Sequence, residues 1–260
     1  MACIMTIPGM DKLKAHFPEW NSPLPRLLDA LIGIMSFAAA TTAMITVDHF
    51  FPNWTLLGQA AVFGVAFTIL SRFFLKKTVL TAGLGGMAYR HAFRTYVVAG
   101  MPMIIAGIAH NAYLPGDRIL SGYSAVVVYL VVAYLLITGV VMYVRAVFTF
   151  GVDNLAMVYV YYPEESRLVN SSIYSLIRHP VYSAVLRMAI AVGLWHGTWF
   201  SILFALLMPV GMMMWLKLVE EPELIGRFGD GYAVYCRNVP AFLPRLRNLS
   251  RFCRFLISGN

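Results

Sequence analysis

The chain has 260 residues, of which 60% are hydrophobic and only 12% charged, against roughly 25% charged in an ordinary soluble domain. With a mean hydropathy of +0.71, there is too little polar surface to cover so apolar a core in water, which excludes a soluble globular protein. The same composition excludes a disordered chain, which would be polar and poor in aromatics.

The net charge is +8. In a membrane protein this fits basic residues gathered on the cytoplasmic face, against anionic lipid head groups. No basic-aromatic module of a nucleic-acid-binding kind accompanies it, so nucleic acid is not an expected partner. Cys3, Cys236 and Cys253 give neither a disulfide framework nor a CxxC metal pair, and no metal is expected.

Residues 1–26 contain Pro8, Pro18, Pro23 and Pro25 and read as a cytoplasmic or interfacial N-terminal arm. The apolar run begins too late for a signal peptide. Six apolar runs follow: Leu27–Val47, Trp54–Leu75, Tyr96–Leu114, Tyr123–Val144, Val181–Trp195 and Phe200–Val219. A span needs about 20 apolar residues, so the expected fold is all-α, a polytopic bundle of about six transmembrane helices. The first four runs make a scaffold over 27–147; the rest, 148–260, makes a second region. His196-Gly197-Thr198-Trp199 joins the last two runs as a tight hairpin, with Trp195 and Trp199 at one interface.

Lys76, Lys77, Arg90 and Arg94 fall in one loop, Arg145, Arg167 and Arg178 near the next on the same side, and six further arginines in the tail; the opposite loops hold only Arg118. An even number of spans then puts both termini and the basic loops in the cytoplasm. Leu155–Tyr162 (LAMVYVYY) is too short to span and rich in strand formers. It reads either as a re-entrant element lining a site or as an interfacial aromatic belt.

Four groups of residues can carry chemistry. Arg178-His179-Pro180-Val181-Tyr182 opens the fifth span, with Pro180 suited to a first helical turn; its cation and free N–H groups can meet an anion, although orientation alone also asks for a basic residue there. Glu220-Glu221-Pro222-Glu223-Leu224 crowds acids at what reads as the C-terminal end of the sixth span, where the macrodipole disfavours them. Phe228, Tyr232 and Tyr235 share one face if the segment is a continuous helix, as packing or as a cover over the cytoplasmic mouth. Arg187 lies near mid-span, where a charge costs about 2.5–3.5 kcal/mol on insertion scales, and is expected to face the bundle interior or a wet cavity.

In order, RHPVY, a helical hairpin, EEPEL, FGDGY, Tyr235 and VPAFLPR resemble the isoprenylcysteine carboxyl methyltransferase and phospholipid methyltransferase families. Their usual pattern is RHPxYxG, then EExxL, then FGxxYxxYxxxVPxxxP. The likeness covers about 167–247; before that the chain matches only as a hydrophobic scaffold. Ala184 stands where the first motif has its Gly. Ser172 stands where a Gly usually precedes Tyr174, and Ile173 replaces a common Pro.

The resemblance implies an integral membrane enzyme with its catalytic region in 148–260. It implies S-adenosylmethionine bound on the cytoplasmic side, between the last two spans and the tail, and a lipid or lipidated methyl acceptor. It implies that His179, Tyr182, Glu220, Glu221, Leu224, Tyr232 and Tyr235 bind the cofactor, that Arg178 and Glu221 serve catalysis, and that Arg187 reads the acceptor's head. Two other readings stay open. YAVYCRNVP over Tyr232–Pro240 is close to a sterol-reductase-like, NADPH-dependent membrane oxidoreductase, which would lack the paired glutamates. A non-enzymatic scaffold or transporter subunit would use Arg187 in packing or transport, although no repeat is visible.

Overall fold

The apolar runs become helices in chain order in the computed structural model, which describes residues 7–119 and 123–259. A short arm helix, α1 (Met10–His16), precedes the long α2 (Pro23–Phe50). Next come α3 (Thr55–Leu75), α4 (Lys77–Leu84), α5 (Ala88–Ala92) and α6 (Val98–His110). Then follow α7 (Tyr123–Phe150), two single turns α8 (Val152–Leu155) and α9 (Val158–Tyr161), and the hairpin α10 (Pro180–His196) and α11 (Trp199–Trp215). The tail is α12 (Glu221–Phe228), α13 (Asp230–Asn238) and α14 (Leu249–Ser258). Among the described residues there is no strand.

Among the described residues, five helical rods are long and apolar enough to cross a membrane: Pro23–Phe50, Pro52–Leu75, Lys77–His110, Ala125–Phe150 and Trp199–Phe228. With 17 residues, α10 sits at the short end of the spanning range of about 17–25, so about six spans is the architecture. Leu27, Leu31, Ile34 and Met35 on α2, and Val126, Val127, Leu130 and Ile137 on α7, are exposed. Apolar surface this continuous is what hydrocarbon solvates and water does not.

Two boundaries differ from the sequence reading, at 76–94 and after Val219. The basic stretch 76–94, expected as a loop, is helical and runs through a π-turn at Phe93–Val97 into α6. The strand formers of 155–162 lie in the turns α8 and α9: no sheet edge adjoins them, so local helical bonds satisfy their backbone. Tyr159, Val160 and Tyr161 are buried there against α3 and α5. The sixth span does not stop at Val219. It continues through a π-turn at Leu216–Glu220 into α12. Pro222 has no N–H to give the carbonyl of Leu218 and its ring crowds that oxygen, so the helix takes up an extra residue just before it.

The hairpin is set by local chemistry. Gly197 closes α10 in the left-handed region (φ 75). Thr198 then caps α11 in a reciprocal box with Ser201, each side chain bonded to the other's backbone. Trp195 and Trp199 are both half exposed or more, as expected of interfacial indoles. On this same end a buried relay clamps three spans: His110 Nδ1 meets Gln59 Oε1 at 2.9 Å, its Nε2 meets Asp48 at 3.1 Å, and Gln59 donates to the Gly107 carbonyl at 2.6 Å.

Close approach of helices rests on small residues. A Cβ on Gly193 would lie 2.6 Å from both Ala205 Cβ and the Ser201 carbonyl. A Cβ on Gly139 would lie 3.2 Å from the Ala184 carbonyl, so α7 and α10 pack backbone to backbone. Gly193→Ala is expected to cost about 1–3 kcal/mol by overpacking. Gly211→Ala, where nothing lies within 4 Å, is expected to leave stability unchanged or slightly raised. Thermal unfolding of the detergent-solubilised chain checks the pair.

Candidate active site

Arg178 and His179 stand just before α10, held by two main-chain bonds: Arg178 N–H to the Pro240 carbonyl at 2.8 Å and His179 N–H to the Ala241 carbonyl at 3.0 Å. The two motifs at opposite ends of the resemblance are thus one local structure. Ser183 adds to it by donating to the Phe242 carbonyl at 2.6 Å.

From this strap the Arg178 guanidinium reaches Glu221 Oε1 at 2.7 Å and the carbonyls of Cys236 (2.9 Å) and Val239. Its Nε is buried without a protein partner. Burial alone would lower its pKa, but the bonded carboxylate prevails and holds the group above its ordinary value. His179 lies between the two carboxylates, with Nε2 3.3 Å from Glu221 and Nδ1 3.6 Å from Glu220. Tyr182, one turn on, donates to Glu220 Oε2 at 2.6 Å. Its ring is stacked with His179 at 5.8 Å and meets the edge of Trp215 at 5.9 Å.

The acids are therefore not at the C-terminal end of a helix, as the sequence suggested. They sit at the π-to-α junction inside one continuous rod, and α12 begins at Glu221, so the macrodipole conflict largely dissolves. Glu223 is neutralised separately by Arg227 at 2.9 Å.

Tyr232 and Tyr235 are both buried on α13. Tyr235 donates to the Tyr174 carbonyl at 2.5 Å, while the Tyr232 hydroxyl is buried with no protein partner. Burial, with the nearby Cys236, Glu221 and Glu220 charges adding, pushes the Tyr232 phenol far above its usual range. Burial also raises the Cys236 thiol. Both are neutral near pH 7, so Tyr232 is a donor rather than a base, and Cys236 is not a thiolate nucleophile.

Phe228 leaves the aromatic stripe. The helix breaks at Gly229 (φ 58), so Phe228 ends α12 under the Arg227 guanidinium and does not share a continuous face with Tyr232 and Tyr235. Leu224 is half-buried one turn past Glu220. Arg187 lies nine residues beyond Arg178, about 13 Å along the helix axis, and points between α7 and α14.

Several participants were not singled out from sequence. Trp215 and Ser183 are ordinary residues of apolar helices. The Cys236 and Val239 contacts use main-chain oxygens, which no sequence pattern displays. Ser172 was noted as a departure, and its φ of 50 lies in the left-handed region that favours glycine; that is a physical reason for the Gly usual at this place. Among the described residues, no group of His, Cys, Asp and Glu is arranged to hold a metal.

No curated protein and no solved structure matches this chain. Residues 127–231, from α7 to the start of α13, match the family model for phospholipid methyltransferase, a family of membrane methyltransferases and one of the two that the four motifs resemble.

Proposed function

We propose that the chain is an integral membrane, S-adenosylmethionine-dependent methyltransferase acting on a lipid-like acceptor, with its site facing the cytoplasm. The observation that carries this is electrostatic. Two carboxylates, Glu220 and Glu221, face one guanidinium, Arg178, in a largely buried cluster. A pair of carboxylates set against a single guanidinium suits a cationic ligand. The rims of Tyr182 and Trp215 add aromatic faces suited to a sulfonium.

The donor set fits such a cofactor. The unpartnered Tyr232 hydroxyl and Arg178 Nε are donors suited to its carboxylate or hydroxyls. Glu220 and Glu221 suit its amino group and sulfonium, and Tyr182 and Tyr235 order and close the pocket, with Leu224 supplying apolar contact. When bound, S-adenosylmethionine supplies an electrophilic methyl group on a sulfonium.

The protein's own part is alignment and exclusion of water. Arg178, held by Glu221 and two carbonyls, orients the acceptor. A carboxylate or phosphate acceptor needs no base. For an amine acceptor, His179, steered by Glu221, takes the proton. Arg187 meets the polar head of an acceptor arriving from the bilayer between spans. The basic segments on the motif side of the bundle support a cytoplasmic position for that side.

Calorimetric titration of S-adenosylhomocysteine into detergent-purified protein tests the assignment. Binding is expected for the wild type and lost in Glu221→Ala and Arg178→Ala, with inserted, helical protein in both. NADPH titrated in parallel is expected to give no heat. Wild-type affinity in both variants, or NADPH binding in place of the homocysteine compound, defeats the proposal.

Tyr182 and Tyr232 separate binding from folding. Tyr182→Phe removes a hydrogen bond to a charged group and should cost about 1.5–3 kcal/mol of stability. Tyr232→Phe removes an unpartnered hydroxyl and should leave Tm unchanged or higher, yet weaken S-adenosylhomocysteine binding about tenfold. Thermal unfolding and calorimetry on the two variants check both halves.

A further inference from the structure

Arg187 differs from the other enclosed arginines of this chain. Arg90 pairs with Glu19, Arg94 with Asp29, Arg178 with Glu221 and Arg227 with Glu223. Arg145 donates to the carbonyls of Phe255 and Ile257. Arg187 is 8% exposed and has no ion pair among the described residues. Its one polar contact is Thr138 Oγ1 at 3.4 Å, its Nε is buried without a partner, and its guanidinium lies over the Phe252 ring at 5.4 Å. A buried charge of this kind is strongly disfavoured unless something neutralises it.

The surroundings identify what can reach it. Thr138 is half-buried, and its neighbours Tyr134 and Ile137 are exposed on the lipid-facing side of α7. The roof is α14, whose Phe252 and Phe255 are buried against the protein. Its other side exposes Leu249, Cys253 and Ile257, spaced by four residues, beside exposed Arg251 and Arg254, with Leu246 and Arg247 just before. An apolar stripe flanked by arginines is the pattern of a helix lying in the head-group layer of an anionic membrane. Its C-terminal carbonyls are tied to Arg145 of α7, so it sits beside the exposed Val144 and Phe148 near the end of that span.

We infer that Arg187 and Thr138, roofed by α14, form a seat for the phosphate of an anionic membrane lipid, which approaches from the lipid-facing side of α7 and is gathered there by the outer arginines of α14. The phosphate oxygens accept from the Arg187 guanidinium and neutralise it. This deepens the acceptor-binding role proposed for Arg187, and rests on that reading only for the bound lipid being the acceptor.

The probes are phosphatidylglycerol, diacylglycerol with the same tails, and inorganic phosphate, each added to the full chain in an uncharged maltoside detergent while Tm is followed. Phosphatidylglycerol is expected to raise Tm by about 3 °C or more, and the other two to leave it unchanged. Arg187→Met, which replaces the unneutralised charge by an apolar chain of similar length, is expected to raise Tm without lipid and to abolish the phosphatidylglycerol shift.

An equal shift with diacylglycerol means tail packing, and a full shift with inorganic phosphate means a free-anion site; either overturns the inference. So does a phosphatidylglycerol shift that survives in Arg187→Met, or a loss of lipid-free stability in that variant, which would make Arg187 a packing residue. If Arg187→Met does not fold, the three wild-type titrations still decide. S-adenosylhomocysteine binding to the wild type is read separately, so failure of the methyl-transfer reading with an intact lipid shift leaves the lipid seat standing.

Discussion

The architecture around the four motifs depends on one guanidinium. Arg178 is the point at which the start of α10, the junction before α12 and the turn after α13 meet, through Glu221 and the carbonyls of Cys236 and Val239. Stranding one partner of a buried charge pair costs about 3–5 kcal/mol, far more than any one surface contact on these segments. The main-chain bonds from Arg178 and His179 to Pro240 and Ala241 act in the same place. Tail and hairpin are therefore fixed as a unit, and the two carboxylates are held where His179 and Tyr182 can reach them.

Much of this was legible because the membrane simplifies the code. Hydrocarbon demands long apolar runs, so the helices and the hairpin at Gly197–Thr198 could be read from composition and capping chemistry. The ordered motifs singled out Arg178, His179, Tyr182, Glu220 and Glu221, and the structure brings them together. What could not be read was phase. Nothing local announces that the helix passes through Glu220 to Phe228, because Pro222 ordinarily argues for a stop. The break at Gly229 (φ 58) was equally hidden, and it separated Phe228 from Tyr232. The strand formers of 155–162 take helical turns because β preference reflects packing on a sheet, and the described residues form none.

Small residues show how position and sequence trade off. The motif's usual Gly is Ala184 here, and its main chain comes close to α7 because Gly139 has no Cβ, which would lie 3.2 Å from the Ala184 carbonyl. Ser172 makes the opposite bargain, keeping a left-handed backbone without the residue best suited to it. Its short side chain is tolerated at a cost of about 1–2 kcal/mol. The strap leading to Tyr174 and Arg178 thus holds local strain, which the buried cluster of Ile173, Tyr174, Ile177 and Phe252 offsets.

The π-turn at Leu216–Glu220 has a consequence for how the last span can change length. One surplus residue in a helix rotates everything after it by about 100° relative to everything before it. The face of α11 that meets the neighbouring helices and the face of the rod that carries the carboxylates are therefore set in different angular frames. Pro222 holds that offset in place, because an ordinary α-helical turn would drive its ring against the Leu218 carbonyl. The last span is therefore an indexed rod: a residue gained or lost between α11 and the turn swings the packing face of α11 about 100° away from the aim of the carboxylates.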